Sequence, residues 1–236
     1  MITAPEASPL DGVRRRLTPE RIESLAIAAF VLFVVWPFLH RGRMVVSFDG
    51  LAYSGPNLQV TLDAIKSGEL PLWNRYLFGG VSHAGNPQTG FWYPLTLLGL
   101  PFSTTRAINV LTLVHLLLFA GGMIALCRWQ LRLRPPATFV GTVIAFGCGA
   151  MATKTIQFEQ LLVVSWVPLL LALLHWLVTG DRPLRAAGCT ALATGAWLSS
   201  GHPQTHYLIA PLLLVWTIGL VPVSYTHLTL PTNREV

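Results

Sequence analysis

Charge is what this sequence has least of. Lys, Arg, Asp and Glu make up 11% of its 236 residues, against about 25% in an average soluble domain, which argues against a soluble globular enzyme. Hydrophobic residues reach 53% and the mean hydropathy is +0.56, values that exclude disorder and collagen-like structure. Only three cysteines occur, Cys127, Cys148 and Cys189. They are odd in number and lack metal-ligand spacing, so no disulfide framework or zinc site is supported, and all three read as small buried hydrophobes. No HExxH pattern accompanies the histidines. A net charge of +6 would make nucleic acid a partner to consider in a soluble chain. Here the basic residues flank apolar blocks, which is the pattern of membrane topology, so no nucleic acid is expected.

What is present is a series of long uncharged stretches. A crossing helix needs about 20 mostly apolar residues. The stretches predict an all-α polytopic membrane protein with six spans, at residues 24–39, 107–127, 135–153, 160–180, 186–200 and 207–222. Residues 1–23 form a cytoplasmic tail, 24–222 the membrane domain, and 40–106 a long first outer loop carrying short amphipathic helices. Arg14, Arg15, Arg16 and Arg21 precede the first apolar run, but Glu6, Asp11, Glu20 and Glu23 dilute them, so the run reads as an uncleaved signal anchor. The third stretch is rich in Gly and Ala and suits close helix packing. Residues 223–236 look like the translation of a sequencing-library adapter. The natural chain is therefore expected to continue differently after about Pro222, as part of a longer protein, and His227 is set aside.

Orientation follows from the basic residues. With the N-terminus cytoplasmic, the inner side receives Arg14, Arg15, Arg16, Arg21, Arg128, Arg132, Arg134, Arg182 and Arg185. The outer side receives Arg41, Arg43, Lys66, Arg75, Arg106 and Lys154, most of them in or beside the long loop, where the rule is weak. Three polar segments then share the outer face: 40–106, 154–159 and 201–206. Four of the ten acidic residues lie there, Asp49, Asp63, Glu69 and Glu159. The inner turns are too short to build a pocket, so any chemistry belongs outside.

A loop of this length is uncommon without a role. Leu58, Leu62 and Ile65 fall at helical spacing with Gly68 placed as a C-cap, which predicts an amphipathic helix over 57–67 lying on the bilayer. Asp63 is expected to pair with Lys66 at i,i+3. The aromatics around Trp73 and Trp92 favour the headgroup zone.

Phe48-Asp-Gly, then Gly68-Glu-Leu-Pro-Leu-Trp-Asn-Arg-Tyr-Leu-Phe-Gly-Gly80, then Asn86-Pro-Gln, Tyr93-Pro-Leu-Thr-Leu-Leu98 and Gly201-His-Pro-Gln204 resemble the YfhO-like bacterial membrane proteins. That family is in turn similar to the GT-C superfamily of membrane glycosyltransferases. The resemblance covers about residues 24–222. It implies location in the bacterial cytoplasmic (inner) membrane and sugar transfer from a polyprenyl-phosphate donor to a cell-envelope polymer, lipid or protein. It also implies a catalytic acid in the first outer loop, which by position is Asp49.

A carboxylate at the interface can deprotonate an acceptor hydroxyl, although Asp49-Gly50 also reads as a simple turn. Glu159 is either a solvated turn residue or a second acid that binds a sugar hydroxyl or a divalent metal; no residue set is assigned to a metal, and a divalent ion remains open as a cofactor. His202 and Gln204, and the matching cluster of His83, Asn86 and Gln88, are the expected substrate-binding groups, with packing of the cluster over 201–206. The alternative for these is an ordinary polar turn. Arg106 and Lys154 sit at outer span ends, where they either bind the donor phosphate or anchor the helices among lipid headgroups. Two other classes stay open, a lipid or sugar transporter (or flippase subunit) and a non-catalytic membrane scaffold. The absence of charge within the spans argues against ion-coupled transport.

Overall fold

The computed structural model describes residues 18–36 and 47–229, with side chains described as far as Val221. Arg14, Arg15, Arg16, Arg41 and Arg43, the end of the first predicted span and the side chains of the adapter-like segment lie outside the described residues. The architecture is all-α apart from one small hairpin.

Helix α1 (Pro19–Val35) opens with the Thr18 hydroxyl accepting from the Arg21 N–H and with Pro19 in its first turn. In the outer loop a π-helical turn (Gly50–Ser54) leads directly into α2 (Gly55–Lys66). Gly68, at φ +78°, stops α2 by donating to the Ile65 carbonyl while Glu69 N–H reaches Ala64, the paired bonds of a Schellman cap. A two-residue-per-strand antiparallel hairpin follows, β1 (Trp73–Asn74) against β2 (Val81–Ser82). Two 3-10 turns, Pro87–Thr89 and Pro94–Gly99, bring the loop back to the bundle. The rest is helical: α3 (Thr104–Ile124) with a π-helical extension to Gln130, α4 (Pro135–Gly147), α5 (Gly149–Ile156), α6 (Phe158–Val164), α7 (Val167–Thr179), α8 (Pro183–Leu198) and α9 (Pro203–Thr229).

Where they are described, the predicted stretches are largely helical, but the helices are not equally long. Among the described residues three helices are long and apolar enough to cross a membrane: Thr104–Gln130, Phe158–Thr179 and Pro203–Val221. A fourth arises if α4 and α5 count as one span; extended backbone at Cys148 breaks the ladder between them and bends the pair by 54°. The described α1 and α8, with 17 and 16 residues, reach about 25 Å at 1.5 Å per residue, short of a hydrocarbon core of about 30 Å.

α3 is the central helix. Toward the loop end, its Ala107, Ile108 and Leu111 pack with Leu58 and Leu62 of α2, with Tyr93, and with Phe158, Leu162 and Trp166. Toward the other end, Leu116, Phe119 and Ala120 meet Ile27 and Val31 of α1 and Phe146 of α4. The apolar side of α2 is therefore taken up by the protein, so the expectation that it lies on the bilayer is corrected. The reason is that Leu58 and Leu62 find a preformed apolar surface on α3.

Other local expectations change as well. Lys66 Nζ donates to the Phe102 carbonyl (3.0 Å) instead of pairing with Asp63. Of the three cysteines only Cys127 is buried; Cys148 and Cys189 are exposed on helix surfaces. Close helix packing is seen at Gly122 of α3, where a Cβ would stand 2.7 Å from the Leu169 amide nitrogen. Gly147 and Gly149 in the Gly/Ala-rich third stretch face open space. At the end away from the loop, Arg128 forms ion pairs with Glu20 and the buried Glu23 and ties α1 to α3.

Candidate functional site

The three polar segments assigned to one face converge at one end of the bundle. Ser47 N–H donates to the Ile156 carbonyl (2.7 Å), joining the start of the described loop to the end of α5. Ser54 Oγ donates to Glu159 Oε1 (2.7 Å). The turn before α9 closes against the loop at Gly201, where a Cβ would stand 2.8 Å from the Pro87 carbonyl oxygen. Between these contacts lies a cavity of about 310 Å³.

Asp49, Gln88, Glu159 and His202, four of the residues singled out above, line this cavity together. Asp49 is not in a loose turn. It opens a helix, with Ser47 capping from below: Ser47 O accepts from Leu51 N–H (3.2 Å) and its hydroxyl from Gly50 N–H (3.4 Å). The Asp49 side chain stays exposed and close enough to Glu159 for the two charges to repel. Glu159 is held by the Ser54 hydroxyl and half-buried at the start of α6. The arrangement is one held carboxylate and one exposed carboxylate facing a shared space.

Other polar side chains line the cavity with the acids. Lys154 Nζ donates to the side-chain oxygens of Gln157 (3.0 Å) and Gln160. Both glutamines line the cavity, and their amide NH₂ groups are donors not used by Lys154. Thr205 presents its N–H (3.3 Å) and hydroxyl (2.7 Å) to His202 Nδ1, so neutral His202 carries its proton on Nε2. Burial, with help from the Lys154 charge and His206, holds His202 below the ordinary imidazole value. It is a neutral donor at physiological pH.

The remaining predicted residues support the cavity or lie away from it. Asn86 Nδ2 donates to the Tyr53 hydroxyl (2.6 Å), and its Oδ1 accepts from the Gln88 N–H (3.0 Å), so it positions two residues of the cavity wall. His83 is buried behind the wall with its Nε2 on Thr61 Oγ1 (2.8 Å). The Thr61 hydroxyl also lies 3.1 Å from the Asn57 carbonyl, and the buried His83 Nδ1 has no partner. Lys154 reaches the cavity through the two glutamines it holds. Arg106 and Gln204 are exposed and do not line the cavity. His206 is not paired with His202: its Nε2 donates to the Trp197 carbonyl (2.7 Å). Among the described residues no three metal-ligating side chains converge; Asp49 and Glu159 are the two carboxylates available to a cation.

Ser47, Tyr53, Ser54, Gln157 and Gln160 were not anticipated. Tyr53 lies four residues after Asp49, one helical turn, but the Asp-Gly pair hid the helix. Gln157 and Gln160 flank Glu159 in one polar run that invited attention only to its charge.

Two outcomes follow from this geometry. Gly201→Ala is expected to cost about 1–3 kcal/mol, because φ is +99° and the added Cβ meets backbone that cannot rotate away; a lower midpoint of thermal unfolding would report it. His83 concerns pH. Burial lowers its folded-state pKa below the usual 6.5, so the unfolded chain binds the proton first as pH falls. The stability held by neutral His83 is complete above about pH 6.5 and is lost as pH drops toward the lower folded value. Unfolding midpoints at pH 7.5 and 5.5 should differ, with the lower pH less stable, and the difference should shrink in His83→Gln.

No protein-family model, curated protein or solved structure matches the chain.

Proposed function

We propose that this chain is an integral-membrane glycosyltransferase of GT-C type. It moves a sugar from a polyprenyl-phosphate donor to a cell-envelope acceptor at the outer face of the bacterial cytoplasmic membrane. In this reading the chain has six spans and a cytoplasmic N-terminus. The two short helices cross by drawing the bilayer inward, at a modest cost per ångström.

The observation that carries the reading is the placement of exposed Asp49 at a cavity with a second, held carboxylate and a wall of neutral donors. Asp49 accepts the proton of the acceptor hydroxyl as that oxygen bonds to the anomeric carbon of the donor sugar. The bond from that carbon to the phosphate oxygen breaks, and its electron pair leaves with polyprenyl phosphate. Glu159 accepts hydrogen bonds from sugar hydroxyls. The amides of Gln157 and Gln160 and the His202 Nε2–H donate to sugar or phosphate oxygens, and Lys154 behind the amides adds positive charge where negative charge develops.

Proteoliposomes carrying the chain are the test, supplied with polyprenyl-phosphate [¹⁴C]glucose or [¹⁴C]mannose and a cell-envelope extract. Transfer of label into the extract, absent from empty vesicles, is expected. Labelling of an Asp49→Cys variant by a membrane-impermeant thiol reagent in intact cells tests the orientation. Protection of position 49 in cells and exposure only in inverted vesicles would overturn the outer-face assignment.

A further inference from the structure

A larger cavity, of about 600 Å³, lies outside this site, between the exposed side of α2 and the β1–β2 hairpin. Trp73 and Tyr76 line it and are 61% and 71% exposed, so neither ring is committed to the core. The Trp73 ring and the Tyr76 backbone are nevertheless held in place. The Trp73 indole covers Gly80 so closely that a Cβ there would stand 2.6 Å from Nε1, and Trp73 pairs with Ser82 across the hairpin. Asn74 Oδ1 accepts from the Tyr76 N–H (3.0 Å) and fixes the turn. Asp63 and Ser67 on α2, and Glu69 just after it, supply the polar edge. Among the described residues no ion pair engages either carboxylate.

A pre-ordered indole face and an exposed phenol ring beside unpaired carboxylates suit a molecule with an apolar C–H face and a rim of hydroxyls. The rings take the face and the carboxylates accept from the hydroxyls. A phosphate would meet two acids against the single cation Arg75. A cationic ligand would be repelled by the Arg75 guanidinium, which lies 5.3 Å from the Tyr76 ring centroid. Insertion of the hairpin into lipid would use exposed Leu70, Leu72 and Phe78, but would strip water from Asp63, Glu69 and Arg75.

We propose that this groove binds a neutral oligosaccharide. It is a second subsite on the helical segment whose first turn, Gly50–Ser54, borders the other cavity. That the bound saccharide is the acceptor rests on the glycosyl-transfer reading; the binding does not.

The test is direct binding, with the full chain in phosphatidylcholine nanodiscs, which avoid sugar-headed detergents. Maltotriose and tri-N-acetylchitotriose are titrated and read by saturation-transfer NMR and tryptophan fluorescence. At least one is expected to bind. Trp73→Ala, Tyr76→Ala and the double variant Asp63→Asn with Glu69→Gln should each weaken binding about tenfold or more. Trp73→Tyr should keep most of it, which separates ring stacking from a loss of fold, and Asp49→Asn should leave it unchanged. Binding that persists without any sugar transfer would uphold the groove and remove only the glycosyl-transfer reading. The proposal is overturned if neither trisaccharide binds up to about 20 mM, or if binding ignores both aromatic variants. It is equally overturned if brominated lipid quenches the Trp73 share of the fluorescence, which would place the hairpin in the bilayer.

Discussion

Asp49→Asn is expected to reduce sugar transfer about a thousandfold, within the range a positioned general base contributes, while leaving expression and thermal stability at wild-type level. The second half of that expectation comes from the structure. Asp49 is exposed, and the local helix is capped by Ser47 and not by the Asp49 carboxylate. Asparagine has nearly the same shape and can still accept a hydrogen bond, but it cannot take the proton. Glu159→Gln provides the contrast. Its carboxylate is engaged by Ser54; in the proposed reaction it holds a hydroxyl in place, so the expected loss is nearer tenfold, with more of it in KM. Transfer by Asp49→Asn within a few-fold of wild type would remove Asp49 from the chemistry, whatever Glu159 does.

The largest stability effect is expected for Tyr93→Phe, about 2–4 kcal/mol. Tyr93 is 1% exposed and its hydroxyl is the hub of a buried network. His115 Nδ1 faces the Leu111 carbonyl at 2.6 Å and must donate to it, which leaves Nε2 as an acceptor. The Tyr93 hydroxyl therefore donates to His115 Nε2 (2.5 Å) and accepts from Trp166 Nε1 (2.9 Å). Burial pushes the Tyr93 phenol far above its ordinary value, which keeps the donor proton in place. Removing one oxygen orphans two groups at once, and both are buried. The network also joins the outer loop to α3 and to the turn between α6 and α7, so the loop should loosen before the bundle melts. Hydrogen exchange at α2 and the hairpin, read beside the unfolding midpoint, would show this. Equal protection in both proteins would mean that the loop is held by apolar packing alone.

Much of the architecture was legible because its physical cause is local. Uncharged runs are helical, Pro19, Pro135 and Pro183 sit at helix starts, and Gly68 ends α2 as its position suggested. The candidate site was legible only in part. Asp49, Glu159, His202 and Gln88 stood out as polar groups in three segments. The partners that give two of them roles, Ser54 for Glu159 and Thr205 for His202, show no periodicity to reveal them, while Asn86, read as a binding group, instead positions Gln88. The pairing of Asp63 with Lys66 was lost because the Phe102 carbonyl, 36 residues on, lies within reach of the ammonium.

Composition and the order of apolar and polar segments were enough to determine an all-α chain built for a membrane, since hydropathy and helix ends are properties of neighbouring residues. Only the tertiary structure decided that α2 turns its leucines onto α3, that Gly201 presses against Pro87, and that the acids of two distant segments share one cavity. Those contacts depend on which surfaces complement one another across about fifty to more than a hundred residues of chain, and no local pattern encodes such a match.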